Sequence, residues 1–394
     1  MAHPSEVVWR RVWSGMKRRA LTGIAAGLVI ALIVAASSPA TAALGDCGQP
    51  VSNGDAPTAS DCLFILKAAV GAETCDCECD TNGSGAASAS DSLLCLKVAV
   101  GQPEVLGCAC APPGFQIETL QLEVPPGALN TYCYYFRTPN TETLAVRRWA
   151  SQMLPATFRM VVFLTVDANG DPIDLQPPGT LSSQDCGLGA TPPPHWMYSA
   201  YTTAAELTFP AEDGSGKPLA AEIPPSSAGY ILMHNLNPTD DVLSGGVILD
   251  AEALEPGEEF TETATFVTYD GSISLSPQSM NELEEQDCDT PEDASFWWLS
   301  TYTHNHSTST RILDGLTTVF ESTDFANPGA EIREEEPFVT FASGELTSQC
   351  IYDNFTNQTV TSGDSYTSSE VCMAIGYFFP AERTLWCFNG IGPF

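Results

Sequence analysis

Apolar residues follow two periods along this chain, and the change from one to the other falls near residue 111. Before it, DCLFILKAAVG at 61–71 returns thirty residues later as DSLLCLKVAVG at 91–101. Leu63, Leu66 and Val70, like Leu93, Leu96 and Val100, fall at i, i+3 and i+7, which is one face of a helix. Gly71 and Gly101 follow as helix stops. After residue 111, Thr, Val, Phe and Tyr alternate with polar residues, and Pro/Gly clusters recur at 125–127, 177–179, 192–194 and 256–257. A period of two broken by frequent turns predicts short strands in β-sandwiches. The expected fold is mainly β: two sandwich domains behind a small α-helical module.

A third pattern precedes both. Lys17, Arg18 and Arg19 lead into an apolar run at 21–36, and Ala40-Thr41-Ala42 supplies a small-x-small site. This predicts a secretory signal peptide over 1–42, initiated at Met16. An uncleaved anchor is the alternative, and the run is short for a span of about 20 residues. The domains expected are then 43–112 for the helical module, 113–283 for the first sandwich and 284–394 for the second. The acidic stretch 281–293 marks the boundary between the sandwiches, with Cys288 tying it down.

Five of the 15 basic residues and one of the 49 acidic ones precede residue 43, so the rest carries a formal charge of −38. Such a field disfavours nucleic acid and anionic membrane surfaces and favours calcium and other cations. After cleavage no segment is expected to insert into a membrane. All 14 cysteines lie in the exported part, eight at 47–110 and six at 133–387. Two even sets in an exported chain predict disulfides within each region rather than metal–thiolate clusters.

Before the second repeat helix stands DTNGSGAASASD, 80–91. As a twelve-residue calcium loop it offers Asp80, Asn82 and Ser84 at positions 1, 3 and 5, and Gly85 at the sharp turn. The carbonyl of Ala86, then Ser88 and Asp91, follow at 7, 9 and 12. The first copy departs from this pattern, with Pro50 at position 1 and Gly54 at position 5. The segment resembles a dockerin-type repeat pair. That implies calcium at the second loop, and a protein partner or a stapled stalk as the module's role.

Five histidines are present in all, and two of them fall in WWLSTYTHNHSTSTRI, 297–312. On a strand, His304 and His306 would point the same way and could share one metal, but two nitrogens need a third ligand. Here a second resemblance enters. THNHSTSTRI with CIYDN (350–354) and SSEVCMAIGYFFP (368–380) resembles the C-terminal domain of the copper type II, ascorbate-dependent monooxygenases. That family includes peptidylglycine α-hydroxylating and dopamine β-monooxygenases. YCYYF (132–136), VRRWASQMLPATFRMVVFL (146–164) and YILMHNLN (230–237) look like its N-terminal domain. The resemblance covers about 115–394 and implies two jelly-roll-like sandwiches, each with one copper. It places His304 and His306 on the copper that binds dioxygen, and His234 on the electron-relay copper. It also implies bridges Cys350–Cys372 and Cys288–Cys387, which leaves Cys133 with Cys186.

The losses weigh as much as the matches. The relay site's adjacent histidine pair, expected after a PGS segment that aligns with Pro155-Ala156-Thr157, falls on Phe158-Arg159, and the family methionine falls on Val371. Met373 would lie too far along the strand to replace it. Valine has no lone pair, and an arginine beside His234 repels a cation. Two functions from different classes therefore stand as expectations. One is a secreted copper-binding, ascorbate-dependent monooxygenase-like protein acting on an unknown small-molecule or peptide substrate at a mononuclear HxH site. The other is a non-catalytic secreted or cell-surface binding protein without transition metal. A calcium-dependent adhesion or scaffold component is the third.

Overall fold

A computed structural model describes residues 47–52, 56–75, 77–108, 113–183, 186, 191–363, 365–366 and 368–393. The signal-peptide reading of 1–42 lies outside them, as does Gly54 of the first calcium-loop copy. The protein is mainly β, and its chain divides into two units, Met1–Cys110 and Ala111–Phe394. No helix among the described residues is long and apolar enough to cross a membrane.

In the first unit the two repeats form helices Ala59–Ala69 and Ala89–Ala99. Each begins with a capping box, Thr58 with Asp61 and Ser88 with Asp91, so the paired sequence signals set both helix starts. The seam between the helices holds Ile65 and the Cys62–Cys95 disulfide, with Cys79 buried beside them. Cys47–Cys108 and Cys75–Cys79 bridge the flanking loops. So small a module cannot bury much apolar surface, and disulfides take over that task. The face traced by Leu63, Leu66, Val70, Leu93, Leu96 and Val100 is exposed throughout.

The second unit is built from β-sheets, four of which have four or more strands. An outer six-stranded sheet contains Leu144–Met153 and Val247–Ala253. Next comes a five-stranded sheet with Leu129–Arg137, Ala228–Leu236, Thr157–Leu164 and His195–Ala200. A second five-stranded sheet follows, with Ser295–Tyr302, Met373–Phe379, Ala264–Tyr269 and Leu385–Phe388. The last is four-stranded, Ser279–Asp289, Glu345–Asn354, Ser307–Asp314 and Thr317–Ser322.

One apolar cluster draws on the first three of these sheets and another on the last two. The residue pattern follows this burial. Outer strands alternate, as VILDAEA does between buried and half-buried positions. Central strands are buried on both faces and read as apolar runs, MAIGYFF among them. Each large side chain buried there, such as Trp149, Trp297 or Phe378, contributes about 1.5–3 kcal/mol. The bridges Cys133–Cys186, Cys288–Cys387 and Cys350–Cys372 are all formed.

The chain passes from the first pair of sheets to the second at Thr263, ahead of the acidic stretch that composition marks as a boundary. Thr261–Glu262 still pairs with Leu219–Ala220, whereas Ala264–Tyr269 already pairs with the strand Met373–Phe379. Much of the acidic stretch is itself strand, within Ser279–Asp289, with Leu283 and its neighbours paired to Glu345–Asn354. Backbone pairing, not charge, places the crossing.

Thr263 pins it. Its amide donates to Ala220 O at 2.9 Å, and its hydroxyl donates to Phe378 O at 2.8 Å while accepting from Trp297 Nε1 at 2.9 Å. Thr263→Val keeps the shape but leaves a buried indole N–H and a carbonyl without partners. We expect a loss of about 1–3 kcal/mol in unfolding free energy, read by urea denaturation. A loss below about 0.5 kcal/mol would show that the crossing does not rely on this hydroxyl.

Candidate functional site

His234, Arg159, His304 and His306 converge where the two central sheets face each other. Strand pairing sets the first two opposite each other: in the Ala228–Leu236 strand, His234 has Arg159 as its register partner on one side and Thr131 on the other. His304 and His306 come from the second sheet pair, but not from a strand. They lie in the turn between Ser295–Tyr302 and Ser307–Asp314. This corrects the expectation of an HxH on a strand, and the physical reason is Glu370.

Glu370 is fully buried under that turn. Its Oε2 accepts the amide of His304 at 2.9 Å, and its Oε1 accepts the amide of His306 at 2.7 Å. His306 Nδ1 also meets Oε1, at 2.9 Å. A carboxylate taking donors from both ends of THNH bends the segment round itself and satisfies its own desolvation. His304 Nδ1 lies 2.9 Å from Ser369 O; a carbonyl only accepts, so Nδ1 carries the hydrogen. Burial lowers the His304 pKa to about 4, with Arg159 and His306 acting in the same sense and Glu370 against it. The ring is therefore neutral, with its lone pair on Nε2. Neither His304 Nε2 nor His306 Nε2 has a hydrogen-bond partner among the described residues.

His234 is placed differently. Thr131 Oγ1 lies 2.9 Å from its Nδ1 and Tyr302 OH lies 2.8 Å from its Nε2, so both nitrogens are engaged. Burial, then His304 and Arg159, hold its pKa well below the usual imidazole range. Its ring packs with those of Phe158, Tyr366 and His304.

Arg159 occupies the middle. Its side chain is fully buried, Nη1 donates to Thr303 O at 2.9 Å and Nη2 donates to Phe325 O. The guanidinium carbon lies 4.5 Å from the centre of the Tyr302 ring and 4.9 Å from that of Tyr201. Arg159 is in no ion pair among the described residues, and its Nε has no acceptor. A cation held by carbonyls and aromatic faces has taken the space that a second ion would need.

A copper pair does not fit these residues. His234 offers no free nitrogen, a permanent positive charge lies beside it, and Val371 contributes only hydrocarbon. Met373 is buried in the apolar core, paired with Tyr302. Among the described residues, no three of His, Cys, Asp and Glu could hold a metal ion. The sequence reading found all three histidines and Arg159, but missed Glu370, Tyr302 and Tyr366 as members of the cluster. A lone acid entering the apolar run VCMAIGYFF was the available signal for Glu370.

In the front module the calcium-loop residues are brought together. Gly85 takes a φ of +96°, and Asp80 accepts the amides of Ser84 at 2.8 Å and Gly85 at 2.5 Å. Burial works to raise the Asp80 pKa, but these amides outweigh it and hold the carboxyl below the usual range. Asp91 Oδ1 accepts from the amide of Asn82 and Oδ2 accepts from Ser88 N and Oγ. Asn82 contacts Ser90 rather than the loop centre, and the Ala86 carbonyl accepts from Ser84 Oγ. In the first copy Asp61 accepts from Val51 N, Ser52 Oγ and Thr58 N and Oγ1.

No family model matches this chain, and no curated protein matches it. Among solved structures it is similar to PNGase F, a glycosylasparaginase from Flavobacterium meningosepticum, at 9% identity and a TM-score of 0.33, over 68% of this chain and 94% of that one. It is also similar to PBCV-1 VP54, fitted into a reconstruction of the virophage Sputnik, at 8% identity and a TM-score of 0.24, over 68% and 94%. A third is an archaeal virus protein with a triple jelly roll fold, at 11% identity and a TM-score of 0.19, over 70% and 61%. Likenesses this slight carry no chemistry. The resemblance to the copper type II monooxygenases is nevertheless corrected. No family model supports it, and its ligand set is not assembled.

The neutral burial of His304 and His234 ties stability to pH. Both are depressed below the unfolded value of about 6.5, so the unfolded chain takes up protons first as pH falls. Stability should be full above about pH 6.5 and decline toward pH 4, with His304 alone contributing on the order of 3 kcal/mol across that window. Denaturation at pH 7 and pH 4.5 checks this, and a His304→Gln variant should show a shallower decline. An unchanged slope would mean that His304 titrates alike in the folded and unfolded chain.

Proposed function

We propose that residues 113–393 form a non-catalytic extracytoplasmic binding protein of two jelly-roll-like β-sandwiches, whose buried histidine–arginine cluster joins the halves. The observation that carries this reading is Arg159. Its fixed charge reaches from the Thr157–Leu164 strand to the carbonyls of Thr303 and Phe325 in the other half and uses both as acceptors. Several disulfides support an exported chain, and residues 1–42 supply the signal for it.

A second reading is favoured by one observation: His304 and His306 both have Nδ1 tied and Nε2 bare. A hydrogen bond at Nδ1 is what orients an imidazole for metal binding at Nε2. That reading is a mononuclear transition-metal site, copper included, completed by water. Copper titration followed by dialysis separates the two. The first reading expects no stoichiometric copper in wild type or in His304→Ala/His306→Ala. One equivalent retained by wild type and lost in the variant would replace it with the second.

For the front module we propose calcium at 80–91, with a protein partner taken up on the exposed Leu/Val face. Asp80 and Asp91 both turn their carboxylates onto amides of this one tight loop, which suits a cation, and Gly85 provides the turn. Millimolar calcium should raise the module's melting temperature by several degrees, since a ligand at about 100 times its Kd contributes about 2.7 kcal/mol. Asp80→Ala should abolish the rise. An equal rise in wild type and variant would remove this loop as the site.

A further inference from the structure

One end of the four-stranded sheet carries apolar side chains that no core cluster takes up. Leu283 and Ile351 are register partners on neighbouring strands. Leu283, Glu285 and Asp287 stand on the exposed face of their strand, while Gln286 and Cys288 are buried. Leu283 is 54% exposed, Met280 61% and Phe355 66%. Hydrogen bonds draw their segments together. Asn281 N donates to Asp353 Oδ1 at 2.8 Å, and Gln278 Nε2 donates to the carbonyls of Phe355 at 2.6 Å and Thr356 at 2.9 Å.

The backbone that presents Met280 is strained. Between Ser279 and Glu282 the strand Ser279–Asp289 slips in register against Glu345–Asn354, which is a β-bulge. Gln278 and Asn281, to either side of Met280, both take a φ of +56°. Neither is glycine, and left-handed backbone is costly for a residue with a Cβ. The fold by itself gains little from a strained bulge that leaves a methionine in water.

Charge selects what would cover this surface. Glu282 and Asp353 border the apolar residues, and Glu285 and Asp287 continue the same face of the sheet. None of the four is in an ion pair among the described residues, and Arg311, the basic residue of these strands, is paired with Glu321 at 3.0 Å. A second copy would set these carboxylates against their own kind, and an anionic membrane surface would be repelled in the same way. An apolar stripe with an acidic border fits a partner that is apolar at its centre and basic at its rim. We infer that this end of the sheet, Met280 and Leu283 with Ile351 and Phe355, docks a basic, apolar segment of another protein. The inference goes beyond the binding-protein reading by naming a surface, and the copper titration that decides that reading leaves it untouched.

The test is NMR of the full chain with isotope-labelled methionine methyls, the Met280 signal being assigned by its loss in Met280→Leu. The probes are three heptapeptides, in which leucine alternates with lysine, serine or glutamate. The lysine peptide is expected to shift the Met280 signal saturably and to bind at least about tenfold tighter than the serine peptide. The glutamate peptide should leave the signal unmoved, and added salt should weaken the lysine peptide. Phe355→Ser, at an exposed position, should keep the wild-type melting temperature and lower the lysine peptide's affinity about tenfold. Lysine-peptide binding that leaves Met280 unmoved would overturn the inference, as general attraction to an acidic chain. Equal binding of the serine peptide would also overturn it, since charge would then play no part. A Met280 signal that moves with protein concentration alone would put a second copy on this face. One that moves with phosphatidylcholine vesicles would put a membrane there, and either result replaces the inference.

Discussion

Everything at the centre of the second unit answers to one constraint: two sheets meet there with buried polar side chains between them. A buried cation costs several kcal/mol unless its surroundings replace its hydration. Arg159 meets that demand with two carbonyls and the faces of tyrosines instead of a carboxylate. The nearest buried carboxylate, Glu370, is taken up by the turn that carries His304 and His306. Each charge is thus neutralised by backbone dipoles rather than by the other. His234 and His304 stay neutral because they are buried, and they fill the gap as hydrogen-bonding aromatic rings.

Much of this was legible in the residues. The alternation and turn clusters after residue 111 announced the β-rich architecture, and the thirty-residue repeat announced the helix pair. Arg159, His234 and the HxH pair were all visible as a group. What could not be read was orientation. Sequence placed His304 and His306 on a strand because TYTHNHSTST has strand composition throughout; a single carboxylate sixty-six residues away from His304 turns that segment instead. Long-range partners of this kind leave no local periodic trace.

The front module teaches the complementary lesson. Its leucines sit at helical spacing, and such a stripe normally marks the face turned inward. Here the cysteines and Ile65 hold the seam, and the leucine face looks outward. The apolar period reported helix correctly and said nothing about which face the fold would bury. In a unit of this size a disulfide at the helix crossing can do what several leucines would do in a larger one, which frees the leucines from the core.

The two polar regions of the second unit can be compared on one physical scale, the balance between fixed charge and what surrounds it. At the histidine cluster the balance is closed: Arg159 and Glu370 have donors and acceptors provided by the chain itself, and adding another cation there means displacing one that is covalently attached. Beside Thr263 the balance is struck differently: Glu222, Glu262 and Glu382 line one cavity, and burial, with the other two adding to it, raises the Glu262 pKa to about 7. Glu222 and Glu382 are exposed, so solvent screens what the chain leaves unpaired there. At the histidine cluster the chain must supply every partner itself, and fixed charges held by backbone groups are what tie the two halves together.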